Sequence, residues 1–185
     1  EYELTVDSAH GSPTGAGWYA ENALANFGVT SPDGTSGTRY VTTGYSGDAS
    51  GSGSSGSVTM SSAKTVTFGW NTEYELTVIS PYGSPTGADW YAVGSTPSIG
   101  VTSPEAGGAG VQYMFTGWSS SDTGGYTGTS ASHSVTMNNP IAETASWETQ
   151  YYLTVTSAYG TPSGTGWYGS GVKAHAGLDV GTVGT

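Results

Sequence analysis

Few side chains in this sequence have the type and spacing needed for chemistry. The three histidines, His10, His133 and His175, are far apart, and Tyr82 and Tyr159 occupy the place of His10 in later copies of an internal repeat. A zinc-type site needs three or four ligands brought together. We therefore interpret the histidines as exposed loop residues, not as metal ligands.

Two aspartates lie in loops where they could donate oxygen atoms to Ca²⁺. Asp48 lies in the segment 47–51 and Asp122 in the segment 121–125, both rich in Gly and Ser. Calcium takes six to eight oxygen ligands, and the chain has no Asp-x-Asp-x-Asp-Gly pattern. Binding of a structural calcium ion therefore stays an open possibility for these loops. The alternative is that each aspartate caps a turn through hydrogen bonds with the backbone. We predict no other cofactor, because a chain without Cys has no thiolate metal ligand.

Catalytic patterns are not recognisable. No Ser lies in a Gly-x-Ser-x-Gly turn, and the Gly-rich loops lack a neighbouring Lys that could hold phosphate. Most acidic residues do not recur between copies. Glu3 and Glu75 do recur, but the third copy has Tyr152 at that place. We interpret the two glutamates as solvent-facing strand residues. We predict that the protein is not an enzyme, with no catalytic, cofactor-binding or metal-binding residue.

Pairs of aromatic residues are the most conspicuous candidates for binding. Neighbouring residues of a strand point to opposite faces, so one member of each pair should enter the core and the other should point outward. The outward member either packs on a neighbouring domain or subunit, or stacks on a sugar ring. The pairs are Trp18-Tyr19, Trp90-Tyr91 and Trp167-Tyr168.

These residues belong to an internal repeat. The motif Tyr-x-Leu-Thr-Val begins at Tyr2, Tyr74 and Tyr151, at spacings of 72 and 77 residues. The repeats cover residues 1–73, 74–150 and 151–185, and the third contains only the first half of the pattern. A half copy is too small to bury its apolar face alone. We expect either that the chain continues beyond Thr185 or that another subunit completes the half copy by strand addition.

The matched segments are strand-like and the length differences fall in loops. One residue is added near 105–110 and four more near 119–133, both in Gly/Ser-rich stretches. Alternation of apolar residues predicts five or six short strands per repeat and almost no helix. We therefore predict an all-β chain of tandem β-sandwich or β-grasp-like domains of about 75 residues, joined by very short linkers after Trp70 and Trp147.

Composition limits the partners. The formal charge is −11, with only three basic residues, which disfavours nucleic acid and anionic membranes. No apolar run approaches the length of a membrane-spanning helix. The chain opens on a strand-like segment and not on a signal peptide, so we expect a mature or excised part of a longer protein.

The combined pattern resembles the divergent InlB B-repeat family. The resemblance rests on Gly117-Trp118-Ser119, Val135-Thr136-Met137, the closing Trp147 and the repeated Tyr-x-Leu-Thr-Val and Gly-Ser-Pro-Thr-Gly motifs. Glu143 departs from it, since it replaces Val66 of the first repeat, and this suggests that the corresponding face is not buried. The family resemblance implies an extracellular or cell-surface location and a spacer or adhesive role.

We therefore expect an extracellular structural protein, a repeat subunit of a surface fibre or filament, stalk or surface layer that self-associates, with strand complementation between subunits as one route. Two alternatives stay open. One is an adhesin or carbohydrate-binding repeat region with glycan partners. The other is the accessory region of a secreted enzyme whose catalytic domain lies elsewhere.

Overall fold

The structure, a computed structural model, describes residues 1–179. Strands are the only regular elements in this part of the chain, which confirms the all-β prediction. No helix of the length and hydropathy required to cross a bilayer occurs within it. The first strands are β1 (Tyr2–Asp7), β2 (Gly17–Tyr19), β3 (Leu24–Gly28), β4 (Asp33–Thr35), β5 (Thr38–Gly47), β6 (Ser55–Thr59) and β7 (Lys64–Ile79). Then follow β8 (Asp89–Ala92), β9 (Ser98–Gly100), β10 (Glu105–Ala106), β11 (Val111–Ser119), β12 (Ser132–Ser134) and β13 (Ile141–Leu153). The last strands are β14 (Thr161–Ser163), β15 (Gly166–Gly169) and β16 (Gly177–Asp179).

The repeat boundaries lie inside strands. The boundary at 73/74 falls within β7 and the boundary at 150/151 within β13. The prediction of a linker after Trp70 is therefore wrong. Residues 70–73 contain neither Gly nor Pro, and they continue the antiparallel ladder with β5, in which Trp70 lies opposite Thr42.

Two compact units make up the chain. The first consists of residues 1–76, 89–96 and 136–141, and the second of residues 77–88, 97–135 and 142 onward. In the first unit the strands run in the order β2-β1-β7-β5-β4, β8 pairs with the second part of β7, and β3 pairs separately with β6. In the second unit β13 lies between β11 and β15, β10 extends the β11 edge, and β9–β12 and β14–β16 form two small ribbons.

The core of the first unit follows from the alternation seen in the sequence. Leu4 and Val6 of β1 point to the same side as Val66 and Phe68 of β7, and all four are buried. Phe27 of β3 closes this core from the second sheet. The full cluster is Leu4, Val6, Ala25, Phe27, Met60, Val66 and Phe68.

A contact between a tryptophan and the Gly-Ser-Pro-Thr-Gly turn occurs in both of the first two repeats and holds the turn in place. The indole Nε1 of Trp70 donates to Ser8 Oγ at 3.0 Å, and that of Trp147 donates to Ser80 Oγ at 2.9 Å. Gly11, at a φ of +77°, lies against the Trp70 ring, and a Cβ there would be 2.6 Å from the ring. Only glycine fits this place, which explains why the same residue begins the turn in each repeat.

The length differences fall where the repeat alignment predicts. The turn between β10 and β11 is one residue longer than the turn between β4 and β5. The remaining residues are added between Ser119 and Gly128. Gly128 bridges to Trp118 as Gly51 bridges to Tyr45 in the first repeat.

Candidate functional site

The histidines that could have served as ligands are separate from one another. His10 is half-buried and stacks on Tyr40, with 3.5 Å between ring centroids, and its edge meets Trp70. The prediction of an exposed loop residue is thus wrong for His10, because the ring fills the place that Tyr82 fills in the next repeat. His133 is exposed and stacks on Tyr126, 3.6 Å between centroids. His175 is exposed.

The two loop aspartates accept backbone hydrogen bonds. Asp48 Oδ2 accepts the Thr65 N–H at 2.8 Å, and Asp122 Oδ2 accepts the Ala142 N–H at 2.7 Å. Each aspartate thus ties its loop to the start of a long strand. Among residues 1–179, no three His, Asp or Glu side chains are grouped so as to hold a metal ion.

Glu143 has the most unusual environment of any charged residue in the described chain. It is fully buried, and its Oε1 accepts the Tyr126 N–H at 2.6 Å, whereas Oε2 has no partner. Burial raises the pKa of the Glu143 carboxyl; the Tyr126 bond and His133 lower it, and Asp122 raises it. The expectation that Glu143 keeps this face out of the core is wrong, because the added loop brings a backbone donor to the carboxyl group.

The aromatic pairs of the first and third repeats divide between inside and outside, as strand alternation predicts, whereas Trp90 and Tyr91 are both half-buried. Tyr19 packs against the core, and its hydroxyl donates to Gly15 O at 2.8 Å, while Trp18 is 66% exposed. In the third repeat the Tyr168 hydroxyl donates to Gly164 O at the same distance, and Trp167 is 40% exposed. The tryptophan is therefore the outward member in both pairs.

Beside Trp90 lies an open groove of about 330 Å³ in the first unit. The Arg39 guanidinium carbon lies 4.6 Å from the centroid of the Trp90 ring, and its Nε and Nη2 are each 2.7 Å from Glu73 Oε2. Asp33 Oδ2 accepts the Gly11 N–H at 2.8 Å. The lining of this "Trp90 groove" is Pro32, Asp33, Gly34, Thr35, Ser36, Arg39 and Trp90.

Beside Trp167 lies a groove of about 240 Å³ in the second unit, built from the matching elements. Gln112 replaces Arg39, and its Nε2 donates to Gln150 Oε1 at 2.8 Å, so an amide pair stands where the first unit has the ion pair of Arg39 and Glu73. The lining of this "Trp167 groove" is Pro104, Glu105, Ala106, Gly108, Gly110, Val111, Gln112 and Trp167.

The loop that forms one wall is held in the same way in both units. Ser31 Oγ accepts the Thr42 N–H at 3.0 Å, and Ser103 Oγ accepts the Phe115 N–H at 2.9 Å. The bond after each serine, to Pro32 or Pro104, is cis. The repeated Val-Thr-Ser-Pro segment is the sequence signal for this wall. The segment and the tryptophans are each recognisable in the sequence, but no local pattern places them together.

The third repeat exposes residues that are covered in the first two. Leu4 and Leu76 are each 1% exposed, whereas their counterpart Leu153 is half-buried. Tyr159 is 84% exposed, whereas Tyr82 stacks on Tyr113. The last six residues of the predicted half repeat lie outside the described part of the chain.

Comparison with known proteins gives no relative. No protein-family model matches the chain, and no curated protein or solved structure matches it significantly. The InlB B-repeat resemblance therefore stays a prediction.

Proposed function

We propose that this chain is a structural, tension-bearing repeat region of an extracellular fibre, stalk or surface layer. The observation that carries the proposal is the pairing of the first and last strands of the first repeat. Leu4–Asp7 of β1 pairs in parallel with Lys64–Thr67 of β7. These two segments are called the terminal-strand pair below.

Parallel pairing of terminal strands determines how a pull on the chain is resisted. Tension enters the repeat at the start of β1 and leaves it along β7, at the opposite end of the pair. The hydrogen bonds of a parallel ladder are evenly spaced, so this pull loads them together and does not open them one at a time. Because forced unfolding is governed by the unfolding rate, such loading raises the force at which the repeat opens.

Two further features support the proposal. The buried side chains of the terminal-strand pair, Leu4, Val6 and Val66, are 8% exposed or less, so water does not compete for the ladder on that face. In addition, β7 continues from the first repeat into the second as one strand of 16 residues. Tension passes along this strand without a flexible linker.

The experiment compares two directions of pulling in a single-molecule instrument. The chain has no Cys, so pairs of introduced Cys give unique handles at exposed positions. E1C/N71C pulls from opposite ends of the terminal-strand pair, and E1C/S62C pulls from the same end. Both should release roughly 3.5 Å per freed residue, but E1C/N71C should open at the higher force. Equal forces would remove the support for a tension-bearing role.

Self-association is the second part of the proposal. Another subunit covers the exposed β1-like segment of the third repeat, Leu153–Thr156, with a strand equivalent to Lys64–Thr67. The supporting observations are the partial exposure of Leu153, whose counterparts Leu4 and Leu76 are buried, and the parallel register of the terminal-strand pair, which provides the template.

A synthetic peptide of residues 55–68 tests this pairing directly. It should bind the chain and protect the amides of Thr154 and Thr156 from hydrogen exchange, because the Val155 N–H on the other side already donates to Thr165 Oγ1. A scrambled peptide should give no such protection. Electron microscopy and sedimentation of the intact chain test assembly itself. Absence of peptide protection, together with dispersed monomers at high concentration, would contradict self-association by strand addition.

A further inference from the structure

The Trp90 groove and the Trp167 groove are made twice from matching parts. Each has a tryptophan wall, a cis-proline loop, a carboxylate and one long polar side chain, namely Arg39 or Gln112. The side-chain partners differ between the two grooves, because the ion pair Arg39–Glu73 is replaced by the amide pair Gln112–Gln150. The two grooves are therefore built from matching elements, although the charges of their polar side chains differ.

The polar atoms of each groove are held in place and only partly used. In the Trp90 groove, Arg39 gives Nε and Nη2 to Glu73. Asp33 uses Oδ2 for the Gly11 N–H. The Arg39 Nη1 donor and the Asp33 Oδ1 acceptor therefore remain for a ligand. In the Trp167 groove, Gln112 uses Nε2, and its Oε1 acceptor remains, as does the carboxylate of Glu105.

This combination fits an uncharged sugar. An indole ring offers an apolar surface to the C–H face of a pyranose, and planar carboxylate, amide and guanidinium groups bond neighbouring hydroxyl groups. Anionic ligands are disfavoured, because each groove contains a carboxylate and the formal charge of the chain is −11. A peptide strand would need an open sheet edge, whereas the edge strands at the grooves, β4 and β10, are only three and two residues long and offer few bonds to a peptide.

We propose that the Trp90 and Trp167 grooves are equivalent subsites for neutral sugar residues of a polysaccharide, each packing one ring against its tryptophan. The grooves are open and shallow, so each subsite alone binds weakly. Two subsites on one chain raise the apparent affinity by roughly 10²-fold when one polysaccharide reaches both. This inference is independent of the tension-bearing role.

The test is an NMR titration of the ¹⁵N-labelled chain with hexamers of β-1,4-glucose, β-1,4-mannose and β-1,4-N-acetylglucosamine, and with heparin as the anionic comparison. Of the six tryptophan indole N–H signals, those of Trp90 and Trp167 report directly on the grooves. One neutral hexamer should shift the signals of Trp90 and Trp167 and leave those of Trp18 and Trp118 in place. A response to none of the neutral hexamers, or to heparin alone, would overturn the proposal.

Matched variants separate binding from folding. W90A/W167A should abolish the shifts at the remaining groove amides. W18A should not, because Trp18 has the same position in its repeat and is 66% exposed, but it lines neither groove. The Trp118 indole signal reports that the core is intact. Gln112→Ala, which leaves both indoles in place, should weaken only the response at Trp167; an unchanged response there would contradict the assigned role of the groove.

Discussion

The buried carboxyl of Glu143 allows a direct test of the packing of the second repeat. Its counterpart in the first repeat, Val66, is apolar and fully buried. Glu143 is equally buried, with one oxygen bonded to the Tyr126 N–H and the other without a partner. Glu143→Gln keeps the size and the Oε1 acceptor and removes the ability to ionise, so it isolates the effect of the charge.

The sign of the effect follows from the direction of the pKa shift. Burial raises the pKa of the folded-state carboxyl above its ordinary value, with Asp122 adding to the rise and the Tyr126 bond and His133 opposing it. Below about pH 4.3, the unfolded-state pKa, both states hold the proton. Above it the unfolded chain ionises first, so stability falls as pH rises until the folded-state pKa is passed, and is then constant.

The size of the effect follows from the same relation. Each pH unit between the two pKa values removes about 1.4 kcal/mol from the free energy of unfolding. E143Q should therefore match the original chain near pH 4 and be more stable at pH 7, by about 1.4 kcal/mol for each pH unit that separates the folded-state and unfolded-state pKa values. For a repeat of this size, 1 kcal/mol corresponds to about 4–8 °C in the melting temperature.

The assay combines two measurements on the intact chain. The side-chain ¹³C shift of Glu143 gives its pKa, and hydrogen exchange of amides in β11 and β13 gives the local stability from pH 4 to 8. His133 and Asp122 interact with the Glu143 carboxyl, so the difference between the two chains reports the ionisation of Glu143 together with these two interactions. A ¹³C titration at the ordinary glutamate value, or the same pH slope in E143Q, would refute this account.

The reverse substitution is a matched control. Val66→Glu places a carboxyl at the equivalent buried position, among the apolar side chains of the first core. Because this core was not built around a carboxyl, the cost should exceed the penalty for Glu143, by about 1–3 kcal/mol for an oxygen left without a hydrogen bond. If V66E is tolerated as well as Glu143 is, the Tyr126 N–H bond does not explain why the second repeat accepts a buried carboxyl.

Three further predictions concern the recurring contacts. Ser8→Ala and Ser80→Ala should each lower the free energy of unfolding by about 1–3 kcal/mol, because each leaves a half-buried tryptophan Nε1 without its acceptor; denaturant unfolding that shows no loss in either would contradict the contact. Gly11→Ala should destabilise the first unit by more than about 1 kcal/mol, because φ is +77° and the new Cβ would overlap Trp70. Gly94 is also at positive φ but has nothing within 4 Å of a new Cβ, so Gly94→Ala should lower the melting temperature less. Asp122→Ala should lower stability by about 1 kcal/mol to the same degree with calcium or with a chelator, because the side chain already accepts the Ala142 N–H; a loss confined to calcium-containing buffer would show that the aspartate is a ligand.

The all-β architecture was predictable because the repeats supply their own comparison. Leu4 and Val6 alternate with polar residues, and the same alternation returns at Leu76, so strands were the only consistent interpretation. The insertions were also predictable, since residues added between otherwise matched strands must lie in turns. These conclusions depend on local sequence patterns that occur in more than one repeat.

Other features depend on contacts between residues distant in sequence. The merging of two predicted strands into β7 depends on pairing with β5 and β8, which no local pattern specifies. Burial of Glu143 depends on the backbone N–H of Tyr126, 17 residues away in the chain, in the loop that is longer than in the first repeat. The Trp90 groove needs the turn of one repeat beside the tryptophan of the next. In each case the residues are recognisable in the sequence, but only the fold brings them close together.

The first two repeats keep the same core and turn residues but differ in the polar side chains of their grooves. Core and turn residues such as Met60 and Gly11 return unchanged in the second repeat as Met137 and Gly83. By contrast, the polar side chain of each groove changes from Arg39 to Gln112 together with its partner. A paired change that keeps a hydrogen bond costs little stability, so packing alone does not require either pair. The tryptophan beside it, however, is present in all three copies and is largely exposed at Trp18, where burial gives it little stabilising role. Retention of the tryptophan in every copy, including Trp18 where it is 66% exposed, therefore supports the proposed role of Trp90 and Trp167 as groove walls more than a role in the stability of the repeat.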